Sequence, residues 1–204
     1  MTVEDRRIPQ IEKEFEKHRA TYQKISDDIE ILTWAEPGTM INKVEYLVYN
    51  NALFIKGDLG EAVFSWHPSI SLNAISGFNL DYFLEKCEAS EGGRHWREWD
   101  AATALIALQD YFADYDDGAE TLQSIENQGG YNALNSSQEE WVQWCHEVGE
   151  EFLGADAWEW AYSIGEVVSW RMQAWLIGIK MAMEQINKTE AKLEKLRSIE
   201  VPLV

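Results

Sequence analysis

The spacing of apolar and polar positions changes period twice along this chain. From Pro9 to about Ile29, the apolar residues Ile11, Phe15, Tyr22, Ile25 and Ile29 recur at helical spacing, and Glu12, Lys13, Glu16 and Lys17 fill the opposite face. That pattern predicts an amphipathic helix with Pro9 in its first turn. Trp34-Ala35-Glu36-Pro37-Gly38-Thr39 breaks it, because Pro and Gly together mark a turn. Val44, Tyr46 and Val48 then fall at every second position, as a half-buried strand over 43–49 requires. Asn50-Asn51 suits a two-residue hairpin turn, since Asn tolerates positive φ. A second strand from Ala52 to Lys56, a turn at Gly57-Asp58-Leu59-Gly60 and a third strand from Glu61 to Trp66 complete a predicted three-stranded antiparallel meander.

Beyond His67-Pro68 the pattern is helical. Asn79 is placed to cap a helix running through Asp81 to about Ala89, with Gly92-Gly93 ending it. Asp100 is placed to cap a helix carrying Leu105, Leu108 and Phe112, and the chain turns at Asp116-Asp117-Gly118. A short helix from Ala119 to Glu126 precedes Gly129-Gly130. Ser137-Gln138-Glu139-Glu140 forms a capping box, after which Trp141, Trp144, Val148 and Phe152 lie on one stripe. A last helix is predicted from about Ile164 to Arg197, with Val168, Trp175, Ile179, Ala182 and Ile186 inward. The fold class that follows is α+β: an N-terminal helix, a three-stranded antiparallel meander, then a mostly helical C-terminal two-thirds. No repeat or low-complexity linker divides the chain, so one domain over 1–204 is expected, with a helix-and-meander portion (1–97) and a helical portion (98–204).

A hydrophobic share of 46% and ten tryptophans over 204 residues call for a packed chain rather than a disordered one. No apolar run has the length of a membrane span, and Glu4, Asp5, Arg6 and Arg7 leave no apolar signal-peptide core, so a cytoplasmic protein is expected. Cys87 and Cys145 have no metal-ligand spacing and read as two buried thiols in a reducing compartment, a disulfide being the alternative.

Charge changes the picture most. The formal net charge is -19, and between Glu98 and Trp170 there are sixteen Asp and Glu and no Lys or Arg. Direct binding to nucleic acid or to an anionic membrane is excluded by that sign. A solvated helical face ordinarily mixes signs, because Glu and Lys four apart stabilise a helix and like charges repel. Asp110, Asp114 and Asp117 are about one turn apart, as if on one face, and Asp116, Glu120, Glu126, Glu139, Glu140, Glu147, Glu150, Glu151, Asp156 and Glu159 extend the field. Carboxylates presented in place of phosphates to a basic cleft would account for such a block, the bland alternative being a solvated surface.

Other chemistry is thinner. His146-Glu147 lacks the second histidine of a zinc-protease motif, and neighbours on a helix point about 100° apart, so Cys145 and His146 do not easily share a ligand. Gly57-Asp58-Leu59-Gly60-Glu61 lacks both calcium-loop spacing and a phosphate-cradling Gly-Lys-Ser/Thr. Arg94-His95-Trp96-Arg97-Glu98-Trp99 combines bases and aromatics, as a packed loop or a stacking site would. His18 and His67 have no companions that spell a triad, and Trp141, Trp144, Trp158, Trp160, Trp170 and Trp175 read as core rather than as a ligand pocket. No cofactor and no metal site are expected.

Trp34 through Pro37-Gly38-Thr39, then Tyr46, Leu53, Gly57-Asp58-Leu59-Gly60-Glu61-Ala62-Val63 and Trp66, resemble a family of uncharacterised phage and prophage proteins over about residues 30–85. Ile164-Gly165 and Leu176-Ile177-Gly178 fit the same pattern. The resemblance implies a phage origin and carries over no catalytic residue. In charge and size the chain also resembles the class of acidic phage inhibitors of host defence, anti-CRISPR proteins and DNA mimics among them. The expectation is therefore an inhibitor in the host-cell cytoplasm. Its partner would be a basic host protein, a CRISPR effector or another nucleic-acid-binding defence protein, bound through the thirteen acids from Asp110 to Glu159 named above. Two alternatives stand beside it: a metal-assisted hydrolase using Asp58, Glu61 and His67, and a virion assembly protein using its tryptophans and last helix to oligomerise. The sequence does not set the oligomeric state.

Overall fold

In the computed structural model, residues 3–90 and 97–199 are described. They form an α+β protein with an antiparallel sheet, and the chain divides into two compact units, 1–96 with 169–204 and 97–168.

The first unit is built on six strands paired in sequence order: β1 (Arg19–Ser26), β2 (Ile29–Ala35), β3 (Val44–Tyr49), β4 (Ala52–Gly57), β5 (Ala62–Ser65) and β6 (Cys87–Ser90). The expected meander is β3 to β5, in register Tyr49↔Ala52 and Leu53↔Phe64. Asn50 takes φ 55° in the turn between β3 and β4, the conformation that asparagine tolerates. Strict alternation buries Val44, Tyr46 and Val48 on one face, where Leu32, Trp34, Leu53 and Phe64 join them.

The sheet has six strands, not three, and two of the extra strands, β1 and β6, overturn helical expectations. The first helix, α1 (Val3–Glu14), starts ahead of Pro9, which lies inside it rather than in its first turn, and covers only residues 9–14 of the predicted pattern; residues 19–26 pair with β2 instead. Only the α1 end of that pattern is buried: Ile11 and Phe15 are fully covered, whereas Ile25 is 54% exposed. Asp27 and Asp28 turn the chain, with the Ser26 hydroxyl accepting the Asp28 N–H at 3.3 Å, and a hairpin then satisfies the backbone groups of β2. The helix capped by Asn79 is shorter than predicted. In α3 (Leu80–Glu85) the Asn79 side chain accepts the Tyr82 N–H at 2.8 Å, but Cys87–Ser90 leave the helix to pair with the open edge of β5. Gly92 and Gly93 lie outside the described residues. Cys87 is half-buried rather than buried, and both cysteines are free.

The other layer is α10 (Trp170–Ile199), which packs on α1, α3, β1, β2 and the short α2 (Leu72–Ser76). It begins later than expected, because Glu166–Val168 form a strand, β8, and the Ser169 hydroxyl then accepts the Met172 N–H at 3.4 Å as an N-cap. Trp175, Ile179 and Ala182 are fully buried, and the Tyr46 hydroxyl crosses from the sheet to donate to the Trp175 carbonyl at 3.0 Å. Beyond Ile186 the helix leaves the core, and Leu193 and Leu196 are half exposed. Glu30, a carboxylate on the buried face, accepts the Leu72 N–H at 2.8 Å and so fixes the start of α2. Among the described residues, no helix is long and apolar enough to cross a membrane.

Candidate interaction surface

The second unit opens on β7 (Arg97–Trp99) and closes on β8, which pair antiparallel with Arg97 opposite Val168. Between them run α4 (Ala101–Phe112), α5 (Gly118–Asn127), α6 (Gly130–Ser136), α7 (Gln138–Trp144), a π-helical turn (Cys145–Gly149), α8 (Glu150–Leu153) and α9 (Ala157–Trp160). The predicted caps are in place: Asp100 accepts the Thr103 N–H at 2.7 Å, and Ser137 accepts the Glu140 N–H at 3.2 Å. Leu108, Ile125, Leu134 and Trp141 form a core with no exposed surface. Three indoles tie the short helices together through backbone carbonyls: Trp99 to Leu134 at 2.9 Å, Trp141 to Ala161 at 2.8 Å and Trp144 to Gln128 at 3.0 Å. Each of these three indoles thereby joins two segments distant in sequence.

Residues 97–168 carry sixteen carboxylates and one base, Arg97, whose guanidinium lies 3.9 Å from Glu166. All thirteen acids expected to bind a partner, Asp110 through Glu159, are exposed. Among the described residues none of the thirteen makes an ion pair. Neutral amides reach two of them, Gln123 to Glu126 at 3.1 Å and Gln143 to Glu147 at 2.8 Å.

Part of the charge falls where helix starts favour it. Glu120, Glu139, Glu140 and Glu159 lie in first turns, where the unsatisfied N–H groups and the helix dipole favour an anion, whereas Glu147, Glu150 and Glu151 lie within the helical run that continues from α7 through the π-turn into α8. Nine acids lack that explanation. Asp110 and Glu126 sit near the C-terminal ends of α4 and α5, the wrong end for a negative charge, and neither helix has a base in its last turn. Asp114 and Asp116 lie between α4 and α5, while Asp117 and Asp156 precede α5 and α9 without a side-chain capping bond. The single helical face expected for Asp110, Asp114 and Asp117 is not formed. Helix α4 ends at Phe112, and the chain turns through bonds from Tyr115 N–H to Phe112 O and from Gly118 N–H to Tyr115 O.

The same region carries an aromatic cluster that sequence reasoning missed. The Tyr111 ring lies flat on Trp160, with centroids 3.9 Å apart and planes 16° apart, and Tyr115 stacks beside Tyr111 at 5.5 Å. The Tyr111 and Tyr115 hydroxyls pair at 3.4 Å. That pairing, partial burial and the Asp156 carboxylate hold the Tyr111 phenol above its ordinary pKa. Tyr111 is 37% exposed and Tyr115 51%. The tryptophans expected in the core divide: Trp141, Trp144 and Trp175 are buried, Trp160 and Trp170 are half-buried, and Trp158 is 61% exposed. The available signal was the i, i+4 tyrosine pair threaded with Asp110 and Asp114, a polar setting for a core stripe.

The alternative sites are not assembled. The Asp58 carboxylate accepts the Asn42 N–H at 2.7 Å, Glu61 faces Lys56 at 3.4 Å, and His67 is exposed. Among the described residues no three His, Cys, Asp or Glu side chains converge as metal ligands. Burial pushes the Cys145 thiol up to about 12, so it is not a thiolate near neutral pH, and the neighbouring His146 ring meets the Tyr162 hydroxyl at 3.1 Å. His146 does line a surface groove of about 520 Å³ along α7 with Glu139, Val142 and Glu147. Arg94, His95 and Trp96 lie outside the described residues.

His18 is a core residue. It packs on Phe15 and Trp34, with centroids 4.8 and 5.5 Å away, and its Nε2–H donates to the Asn42 carbonyl at 3.2 Å. Burial lowers its pKa below the ordinary 6.5, outweighing the Asn42 bond and the Glu36 charge, which raise it. The unfolded chain therefore takes up this proton at higher pH than the folded one. The stability at stake is fully present above the unfolded value and is lost as pH falls through the folded one. The denaturation midpoint should fall between about pH 7.5 and about pH 5.5, and His18→Phe should flatten that part of the slope. An equal pH dependence in both proteins would sink the assignment.

No protein-family model, curated protein or solved structure matches the chain.

Proposed function

We propose that the chain is a phage-encoded inhibitor of a host defence system, with the acidic unit occupying a basic nucleic-acid-binding surface of its target, a CRISPR effector being the named example. The observation that carries this reading is the set of exposed carboxylates without ion pairs in a unit holding one base. Nine of these, Asp110, Asp114, Asp116, Asp117, Glu126, Glu147, Glu150, Glu151 and Asp156, lie outside helix first turns and make no ion pair among the described residues. Charges kept without a stabilising role are the ones to examine for recognition, since a like-charged surface steers a basic partner and presents acceptors where phosphates would sit. The phage source comes from the resemblance over about residues 30–85, the defence target from the likeness in charge and size to acidic phage inhibitors, and the charge argument supports any partner with a basic groove.

The test is retention of host proteins by wild type and by the triple variant Asp110→Lys, Asp114→Lys, Asp117→Lys, each washed at rising salt. Lysine near the end of α4 suits the helix dipole, so the variant should remain folded. Wild type should release its partner as the screening length falls from about 30 Å to a few Å, and the variant should hold at least about tenfold less at low salt. Retention indifferent to both salt and charge reversal would overturn the proposal.

A further inference from the structure

The cluster of Tyr111, Tyr115 and Trp160 leaves ring surface in solvent, and its tyrosines sit in a stretch whose carboxylates, Asp110, Asp114, Asp116 and Asp117, lie outside helix first turns. Two tyrosines 37% and 51% exposed forgo much of the gain that burial would bring. Their stack is nevertheless ordered: Tyr111 is pinned flat on Trp160 at 3.9 Å and joined to Tyr115 by the hydroxyl bond. Rigid, amphipathic rings of this kind concentrate binding energy at interfaces. Asp110 and Asp114 adjoin the two tyrosines in sequence, Asp156 is near enough to act on the Tyr111 phenol, and Glu159 precedes Trp160.

We infer that this aromatic cluster, with Asp110, Asp114 and Asp156 on the chain segments that carry it, receives arginine side chains, so that the surface it docks on is arginine-rich rather than lysine-rich. The inference rests on the reading above, and names the chemistry of the partner at one place. Charge alone would attract either base. The rings discriminate, because a guanidinium is planar and weakly hydrated and stacks on an aromatic face while its N–H groups reach carboxylates beside it. A lysine ammonium is compact and strongly hydrated, and gains less from the same rings.

The experiment titrates nona-arginine and nona-lysine into the full chain and into Tyr111→Leu/Tyr115→Leu, which keeps apolar volume and removes the π faces. Near-UV circular dichroism checks the fold. Wild type should bind nona-arginine about three- to tenfold more tightly than nona-lysine, and the variant should bind both at the lysine level. Equal affinities in wild type would overturn this inference and leave the charge-decoy reading standing. Failure of both peptides to bind would overturn the two together. An arginine preference undiminished in the variant would place it elsewhere and overturn the assignment. If the double variant does not fold, Tyr115→Leu, at the more exposed ring, gives the same ratio with the same outcomes.

Discussion

Replacing Trp141 with alanine is expected to unfold residues 97–168, at a cost of about 3–5 kcal/mol. Trp141 is fully buried, stacks on Trp144 with centroids 5.2 Å apart and planes 12° apart, and donates to the Ala161 carbonyl at 2.8 Å. Truncation removes the largest fully buried side chain of the acidic unit and leaves that carbonyl without its side-chain donor. Small domains hold only about 5–15 kcal/mol in total, and this one also carries the self-repulsion of sixteen carboxylates against one base. Chemical denaturation followed by near-UV circular dichroism would report the loss. Added salt should partly restore the midpoint, because it screens the repulsion but cannot refill the cavity. Trp141→Phe, which keeps a ring and loses the hydrogen bond, should cost about 1–3 kcal/mol. A midpoint unchanged by Trp141→Ala would mean that the indole is not the keystone described here.

The second large effect is expected at Gly57, the last residue of β4. Its φ is +152°, and a Cβ there would overlap the Lys43 carbonyl oxygen across the β3–β4 ladder. That oxygen also accepts the Asp58 N–H at 2.9 Å, so it is held on both sides. Gly57→Ala should therefore combine backbone strain with overpacking and cost about 2–4 kcal/mol. Gly38 is the internal control. It too has positive φ, +84°, but nothing lies within 4 Å of where its Cβ would be. Gly38→Ala should show the conformational penalty alone, about 1 kcal/mol. Equal midpoints for the two variants would remove the steric part of the explanation.

What the sequence made legible was the region where two signals agree. From Val44 to Trp66, strict alternation and turn chemistry point the same way, and the register follows. Residues 19–29 gave a conflicting signal: Tyr22, Ile25 and Ile29 fit a helical period, but their neighbours can also pair as a strand, and the need to hydrogen-bond β2 decides it. The strands β6, β7 and β8 have four, three and three residues, too few to show any period. The acidic block was legible as composition. Which acids help the fold and which do not was hidden, because that depends on where each short helix starts and stops. The same uncertainty concealed the tyrosines: a pair four apart reads as core until α4 is seen to end at Phe112.

The pairing of β7 with β8 has a consequence for how the protein can change. Because Arg97 and Val168 are partners, the acidic unit enters and leaves through neighbouring points, as an inserted module does. Replacing it by a short linker would leave every strand pairing of the six-stranded sheet intact. Its surface can therefore be rewritten, residue by residue or wholesale, while the scaffold keeps its own sequence constraints.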